Sequence, residues 1–321
     1  MPVLVTGASG FIGAHVVLEL LDRGMSVRAM MRDVSLSKMF PENDLLEVVS
    51  GDLFDIDSLK AAVDGCDDVI HCAAALYVGA KDVKAEVVDP SVIGVENMCS
   101  VMENVKRIVH TSSVAAIRSS EYENGKLFTA LDWCEDATPT YNPYGFAKAE
   151  AERKIRSWAK GKDLRLVTIN PSIVFGPIIH ERHKNGSMSY LKHFVKGPPF
   201  ILDLHVNFVD VRDVAKAHVN ALEMGEDRGR YIIHKQGFWM KEIGKELSGA
   251  LPKKYATKKL PRLFAYVLAF FHPKLSIKRL KGTLGRFVDY DVGDSFEVLS
   301  LPNYEVVETL VDSVKSFQAQ D

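Results

Sequence analysis

A tyrosine and a lysine four residues apart are the first candidates for chemistry in this sequence. Tyr144 and Lys148 lie in the segment Tyr-Gly-Phe-Ala-Lys, and on a helix this spacing places both side chains on one face. A phenol of ordinary pKa is a poor acid–base group at neutral pH, whereas a neighbouring ammonium stabilises the phenolate and lowers that pKa. The pair therefore predicts a proton-transfer site, and Asn142 and Pro143 suit the start of its helix.

A serine at the end of a predicted strand would complete this site. Ser113 closes the segment His-Thr-Ser-Ser, and the carboxyl ends of strands are where open α/β sheets bind ligands. Its hydroxyl would donate a hydrogen bond to a substrate carbonyl oxygen beside Tyr144. Ser112 is the alternative residue for that role. A capping serine that coincides with a surface Tyr/Lys pair is the alternative for the whole set.

A glycine-rich turn near the amino terminus indicates a bound dinucleotide. Three glycines at intervals of three residues follow a short apolar run and open a helical pattern. They allow a tight turn, a close approach of the pyrophosphate and close packing of the helix, whose free N–H groups would face the phosphates. The residues predicted to contact the cofactor here are Gly7, Ser9, Gly10, Phe11, Ile12 and Gly13. A turn of this kind without a ligand is the alternative.

The end of the second predicted strand favours NADP(H) over NAD(H). An NAD-selective site usually has an acid there, whereas this sequence has Arg32, whose planar guanidinium suits a 2′-phosphate. Lys38 follows in the same loop and adds a second positive charge, although Asp33 is adjacent. A plain surface position is the alternative interpretation of Arg32.

Other predicted strand ends supply the remaining cofactor contacts. Asp52 and Leu53 follow the third strand, where the carboxylate would accept from the adenine amino group or merely begin a turn. Small residues after the fourth strand would let the backbone pass beside the cofactor, and the segment after the sixth strand would line the nicotinamide pocket. Lys148 would also bind the nicotinamide ribose. The further predicted contacts are Ala73, Ala74, Thr111, Tyr144, Pro171, Ile173 and Val174.

The elements that would position these residues alternate between strand and helix. The predicted strands of the first half are residues 3–5, 27–31, 46–49, 69–71, 107–110 and 164–169. With helical patterns between them, this rhythm is typical of a parallel sheet covered on both faces. After Pro177 a loop rich in His, Gly and Pro occupies residues 178–199, and helical patterns then dominate.

The predicted fold class is therefore α/β, a Rossmann-like doubly wound parallel sheet with a smaller, mostly helical C-terminal substrate domain. We place the NADP-binding domain at residues 1–177 and the substrate-binding domain at residues 178–321. Some later segments are expected to return to the sheet.

Composition excludes several other classes of protein. A chain of 321 residues suits two domains, and its 47% hydrophobic and 26% charged residues are ordinary for a globular protein. A net charge of −2 argues against a nucleic-acid partner. The four cysteines form no CxxC pair, so no metal site or disulfide framework is indicated and a reducing, cytoplasmic location is expected. No signal peptide is indicated, and no apolar run approaches the roughly 20 residues of a membrane span.

One part of the sequence is strongly basic. No acidic residue occurs between Leu247 and Val288, whereas ten lysines and arginines lie between residues 253 and 286. The simplest interpretation is a solvated basic face. The alternative is a surface for peripheral contact with anionic lipid, or for an anionic substrate such as a CoA thioester.

The motifs, in their order along the chain, resemble those of extended short-chain dehydrogenase/reductases, specifically the dihydroflavonol reductase and cinnamoyl-CoA reductase branch. They lie at residues 6–13, 27–33, 51–53, 111–113, 144–148, 170–177 and 208–215. The resemblance spans residues 1 to about 233 and implies a cytoplasmic, NADPH-dependent reductase of a ketone, aldehyde or acyl thioester. Thr140-Tyr141-Asn142-Pro143 precedes Tyr144 where cinnamoyl-CoA enzymes have Asn-Trp, which leaves the substrate within that class open.

The resulting hypothesis is a hydride transfer to a small-molecule carbonyl by a monomer or homodimer. Tyr144 would give the proton, Ser113 would hold the oxygen and Lys148 would set the pKa of Tyr144. Substrate contacts are expected from residues 76–78, 115–119 and 178–199. In the last of these, His180 and His183 are expected to be solvent-exposed rather than ligands of a substrate or metal.

Three alternatives to this hypothesis remain. The first is a nucleotide-sugar epimerase, which would keep NAD bound; an arginine at position 32 counts against it. The second is a 3-beta-hydroxysteroid or other sterol dehydrogenase on a membrane face. The third is a non-catalytic NADP-sensing regulator, a class that often lacks the Tyr or Lys present here.

Overall fold

The computed structural model describes residues 1–74, 82, 84–271 and 277–320, without the side chains at 268, 269, 271 and 277–279. Its largest element is a seven-stranded parallel sheet. The strands in chain order are β1 Val3–Thr6, β2 Val27–Met31, β3 Leu46–Ser50, β4 Asp68–His71, β5 Arg107–Thr111, β6 Lys126–Phe128, β7 Arg165–Pro171, β8 Ile173–Phe175, β9 Phe200–Ile201, β10 His205–Asp210, β11 Arg230–Ile233, β12 Gln236–Trp239, β13 Lys258–Lys259 and β14 Val288–Tyr290.

Helices cover both faces of this sheet and recur through the second half of the chain. They are α1 Phe11–Asp22, α2 Ile56–Val63, α3 Asp89–Val101, α4 Pro143–Ala159, α5 Ser189–Lys196, α6 Val211–Asn220, α7 Met240–Ala250, α8 Arg262–Phe271, α9 Ile277–Thr283, α10 Ser295–Val298 and α11 Val306–Ala319. Within the described part of the chain, no helix is long and apolar enough to cross a membrane.

The order of strands in the main sheet creates a ligand-binding crevice. The order is β11-β7-β5-β4-β1-β2-β3, so the chain runs outward from β1 in one direction and then returns to build from β4 in the other. Ligands of open α/β sheets bind at the carboxyl ends of the strands where the order reverses, here between β1 and β4. The predicted Rossmann-like fold is confirmed. Arg230–Ile233 returns to this sheet and pairs parallel with β7.

Two apolar layers hold the helices on the sheet. Successive side chains along a strand point to opposite faces of the sheet. One face, including Val5 and Val109, packs with α1 and α6, and the other, including Leu4 and Ile108, packs with α2, α3 and α4. A third apolar cluster, with Phe175 and Phe208 at its centre, joins α5, α7 and α11 around a short sheet of β12, β10 and β8.

The interpretation of residues 178–199 as a loop was wrong, because the segment contains helix α5 and two short 3-10 turns, Glu181–Lys184 and Gly186–Met188. Leu191 and Phe194 lie one turn apart and are buried in the third cluster. The helix was missed because it is only two turns long and is flanked by the glycine and proline residues that usually mark loops.

A layer of histidines crosses the carboxyl edge of the sheet on the α4 side. Thr6, His71 and His110 are register neighbours on β1, β4 and β5. The Thr6 hydroxyl lies 2.7 Å from Nδ1 of His71, whose ring stacks at 5.6 Å on that of His110. Burial lowers the pKa of His71 to about 3 and holds that of His110 well below its usual range, and the nearby Lys148 charge adds to both shifts.

We predict that this layer makes the fold acid-labile. The unfolded chain binds protons at its histidines below a pKa of about 6.5, whereas buried His71 and His110 stay neutral, so the stability present above that pH is lost as the pH falls. His218, with a pKa lowered to about 4, adds to the loss. At pH 4.5, each buried neutral histidine is expected to lower the free energy of unfolding by roughly 2–3 kcal/mol relative to neutral pH.

Urea unfolding at pH 7.5, 6, 5 and 4.5 measures this loss. A His110→Gln variant should lose less stability between pH 6.5 and 4.5 than the wild type. An unfolding free energy that is level over this range would contradict the prediction.

Candidate functional site

The glycine-rich turn packs so tightly that side chains are excluded from it. Gly7 has a φ of +66°, and a Cβ on it would lie 2.7 Å from the Ala73 backbone. A Cβ on Gly13 would lie 2.3 Å from the carbonyl oxygen of Gly7. Helix α1 starts after Gly10 with no side-chain cap and no acid in its first turn. The amide groups of Phe11, Ile12 and Gly13 are therefore left to an anion, which fits a pyrophosphate.

Ser9 connects this turn to the second half of the chain. Its hydroxyl accepts a hydrogen bond of 3.0 Å from Nη1 of Arg182, and its carbonyl oxygen lies 3.2 Å from Nε2 of His183. The ring of His183 lies 5.6 Å from that of Phe11. The 3-10 turn Glu181–Lys184 thus lies directly on the phosphate loop, a contact that no sequence motif indicated.

The expectation that His180 and His183 are solvent-exposed was wrong. His183 is 3% exposed, and its burial lowers its pKa to about 4. His180 is half-buried, and its Nδ1 accepts from the backbone N–H of Arg182. Both positions follow from the packing of the turn on the phosphate loop, a long-range contact that polar residue types do not reveal.

On the adenosine side, Arg32 and Lys38 are both exposed after β2. The neighbouring Asp33 is used locally: its Oδ1 accepts from the backbone N–H and the hydroxyl of Ser35, and these bonds lower its pKa. Asp52 also begins a turn, since its Oδ1 accepts from the Phe54 N–H at 2.9 Å. Leu53 lies against helix α3, where a Cβ on Gly94 would meet its side chain.

The predicted nicotinamide-side residues lie at the ends of β4, β5 and β7. The Ala73 N–H donates to the Thr6 hydroxyl at 3.2 Å, and Ala74 is exposed. The Thr111 hydroxyl lies 2.8 Å from Nε2 of His218. Pro171 and Val174 are buried while Ile173 is half-buried, so these residues offer mainly backbone to a ligand.

Ser113, Tyr144 and Lys148 are brought together above the carboxyl end of β5. Tyr144 stands in the first turn of α4, which Asn142 caps by accepting from the Gly145 N–H. The hydroxyls of Ser113 and Tyr144 are within hydrogen-bond reach of each other, and the Ser113 oxygen also accepts from the Ala115 N–H at 3.1 Å. One turn further along α4, Nζ of Lys148 donates to the Thr111 carbonyl at 3.1 Å.

The pKa of Tyr144 shifts in the direction opposite to the one expected from the Tyr/Lys spacing. Burial raises the pKa of Tyr144, and the hydrogen bond with Ser113 opposes this only in part. Lys148 is itself buried, and its pKa is lowered to about 8. Lys148 is not among the causes of the Tyr144 shift, and its ammonium is bonded to the Thr111 carbonyl. Tyr144 is consequently protonated at neutral pH and able to give a proton.

A buried carboxylate one turn beyond Lys148 was missed by the sequence reasoning. Glu152 is fully buried and accepts from the Ser112 hydroxyl at 2.6 Å and from Nδ2 of Asn170 at 3.0 Å. It also pairs with the guanidinium of Arg230. These bonds aim Ser112 away from Tyr144 and leave Ser113 as the serine of the site. The signal was the i, i+4, i+8 spacing of Tyr144, Lys148 and Glu152.

Among the predicted substrate contacts, residues 115–119 carry a guanidinium. Arg118 lies 5.5 Å from the ring centroid of Tyr122, and its charge partly offsets the rise that burial causes in the pKa of Tyr290. Residues 76–78 lie outside the described residues.

Comparisons with known proteins show the family to which the chain belongs. The chain matches the model of the NAD dependent epimerase/dehydratase family over residues 3–233. It is 29% identical to cinnamoyl-CoA reductase 2 of Arabidopsis thaliana, over 96% of this chain and 92% of that protein. It is 31% identical to cinnamoyl-CoA reductase CAD2 of Medicago truncatula, over 80% of this chain and 84% of that protein.

Among solved structures, Gre2 of Candida albicans in complex with NADPH superposes with a TM-score of 0.81 at 25% identity, covering 100% of this chain and 99% of that one. The resemblance to extended short-chain dehydrogenase/reductases of the dihydroflavonol and cinnamoyl-CoA reductase branch is confirmed.

We predict that Glu152→Gln destabilises the protein by about 3 kcal/mol, because it leaves the buried Arg230 guanidinium without its counter-charge. The measurement is urea unfolding monitored by circular dichroism. Glu150→Gln, which breaks a partly exposed pair with Arg153 on the same helix, is the matched control and should cost less than about 1 kcal/mol. Equal losses in the two variants would show that the buried pair has no special role.

Proposed function

Because the chain belongs to the NAD dependent epimerase/dehydratase family, we propose that it uses NADPH to reduce the carbonyl group of an aldehyde, ketone or acyl thioester, with Tyr144 as the proton donor. Its broader class is that of the NAD(P)-dependent reductases of the extended short-chain dehydrogenase/reductase type. The observation that supports the proposal is that the Ser113 and Tyr144 hydroxyls lie close enough to interact, with Lys148 one turn away, at the strand ends beside the phosphate loop.

Each residue of the site has a role in this reaction. NADPH, when bound, supplies a hydride from the 4-position of its nicotinamide to the carbonyl carbon. Tyr144 donates its hydroxyl proton to the carbonyl oxygen, and its raised pKa keeps that proton available at neutral pH. Ser113 donates a hydrogen bond to the same oxygen, since its own oxygen already accepts from Ala115. The Lys148 ammonium stabilises the phenolate that remains.

The preference for NADPH rests on the charges after β2. Arg32 and Lys38 are exposed cations there, and the adjacent Asp33 is engaged as the cap of a short helix. In the same proposal, the cofactor lies on residues 1–177 and the substrate is bound by residues 178–321 together with Arg118 and its tyrosines. In this proposal Arg118, which lies over the ring of Tyr122, offers a substrate a charged group on that side.

A substrate panel tests the proposal, with NADPH and NADH compared in parallel. NADPH fluorescence should fall with one class among aldehydes, ketones, flavanonols and acyl-CoA thioesters. With the same substrate, NADH should be consumed more slowly. Tyr144→Phe should lower turnover by about 100-fold or more, because the proton donor is lost, while the affinity for NADPH stays within about twofold.

Tyr141→Phe is the matched control, since Tyr141 lies just before helix α4 and its hydroxyl contacts Glu121. It should keep near-normal turnover. A fully active Tyr144→Phe enzyme would refute the assignment of the proton donor. Tight cofactor binding without consumption by any substrate would favour the epimerase, the sterol dehydrogenase working in the oxidative direction, or the sensor.

We further propose that α8 and the basic residues around it contact an anionic lipid surface. Four large apolar side chains of α8 are exposed: Leu263 at 72%, Phe264 at 60%, Val267 at 49% and Phe270 at 75%. Exposed cations, including Lys258 and Arg262, lie next to them in a segment without acids. Exposed apolar side chains bordered by cations suit the interface of an anionic bilayer.

The protein should sediment with vesicles of phosphatidylcholine and phosphatidylserine and not with phosphatidylcholine alone, and Phe264→Ser with Phe270→Ser should reduce this binding severalfold. Absence of sedimentation with the anionic vesicles would refute the lipid contact. So would concentration-dependent dimerisation that the same variant abolishes in analytical ultracentrifugation, which would assign the surface to a second copy of the chain.

A further inference from the structure

The turn Glu181–Lys184 brings a guanidinium to the phosphate loop from the second half of the chain. Nη1 of Arg182 donates to the Ser9 hydroxyl at 3.0 Å, and His183 fixes the same turn through the Ser9 carbonyl at 3.2 Å. Because His183 is buried against Phe11, the turn is held in place by packing as well as by hydrogen bonds. Arg182 is therefore positioned by its neighbours at the mouth of the dinucleotide crevice.

Arg182 lies close enough to Arg32 for their charges to interact. Burial lowers the pKa of Arg182, the nearby Arg32 charge lowers it further, and Asp33 opposes this shift. Asp33 cannot neutralise both cations, and its Oδ1 is already bonded to Ser35. The two guanidiniums therefore lie near each other, with the Asp33 carboxylate beside them as an opposing charge.

Neither guanidinium is saturated with hydrogen bonds. Apart from the bond to Ser9, the side chain of Arg182 has no hydrogen-bond partner among the described residues, and that of Arg32 has none there. A guanidinium has five N–H donors in a planar fork, so Arg182 can keep its bond to Ser9 and still offer donors to an anion. A dianion between the two arginines would relieve their repulsion and accept these bonds.

We propose that Arg182 is a second phosphate ligand, supplied by the C-terminal half, and that together with Arg32 it selects the 2′-phosphate of NADP(H) over the ribose hydroxyl of NAD(H). This inference rests on the proposed use of NADPH. It differs from the assignment of Arg32, because Arg182 follows no strand of the sheet and its role comes from its contact with Ser9. It also links cofactor choice to the turn that begins the substrate-side half.

The alternative role for Arg182 is a purely structural contact that holds the phosphate loop through Ser9. The two roles predict different patterns of loss. Loss of a structural contact would weaken the binding of NADPH and NADH equally, because both dinucleotides use the same loop. A 2′-phosphate ligand affects only the molecules that carry that phosphate.

The test is binding of dinucleotides to the protein without substrate, by isothermal titration calorimetry. Arg182→Gln should weaken the binding of NADPH and 2′,5′-ADP by about tenfold or more, whereas the affinities for NADH and 5′-AMP should change by less than about twofold. The affinity of Arg182→Lys for NADPH and 2′,5′-ADP should lie between those of the wild type and Arg182→Gln, since lysine keeps the charge but lacks the planar fork of donors. Lys184→Gln, in the same turn but bonded to the Gln320 carbonyl, is the matched control and should bind all four ligands normally.

Equal losses for NADPH and NADH in both Arg182 variants would overturn the proposal, as would unchanged affinity for every ligand. The melting temperature of each variant shows whether it is folded. If Arg182→Gln does not fold, the comparison of NADPH with NADH binding is made with Arg182→Lys. A wild-type protein without preference for NADPH over NADH would instead refute the proposed cofactor preference. Unchanged NADPH preference in the Arg182 variants, with a selective wild type, would refute the role of Arg182 alone.

Discussion

The packing of α4 against the carboxyl ends of β5 and β7 is the constraint on which the site depends. Three polar side chains, Tyr144, Lys148 and Glu152, follow one another along the inner face of this helix, and each meets a different partner on the strands. Those partners are the Ser113 hydroxyl, the Thr111 carbonyl and the group formed by Ser112, Asn170 and Arg230. Unpartnered polar groups at this depth are costly, so the partners determine where the helix lies.

The same packing separates the chemical roles of similar residues. Ser112 and Ser113 are adjacent, yet one is bonded to a buried carboxylate and the other faces Tyr144. Asn170 reinforces this arrangement, since its Nδ2 lies 3.3 Å from the Ser113 carbonyl. The strand that supplies Arg230 returns to the sheet edge from the second half of the chain. The position of Tyr144 therefore depends on residues far from it in sequence.

Local patterns were sufficient for most of the fold and for the residues that form the site. The strands from Val3 to Pro171, the glycine-rich turn and the Tyr/Lys spacing are short-range signals, and the structure places them at one edge of the sheet. The contacts that were missed are long-range ones. Examples are the burial of His183 on the phosphate loop and the pairing of Glu152 with Arg230. The burial that raises the pKa of Tyr144 could not be read from the spacing, which reveals a neighbouring charge but not desolvation.

We propose that a hydride from NADPH and a proton from Tyr144 are added to one carbonyl group. Transfer of deuterium from NADPH labelled at the 4-position tests this reaction most directly, by mass spectrometry of the product formed from an aldehyde, ketone or acyl-CoA thioester. We expect one deuterium at the former carbonyl carbon for each NADPH consumed, and no transfer above background in Tyr144→Phe. Unlabelled product with NADPH recovered intact would contradict it, and so would undiminished transfer in that variant.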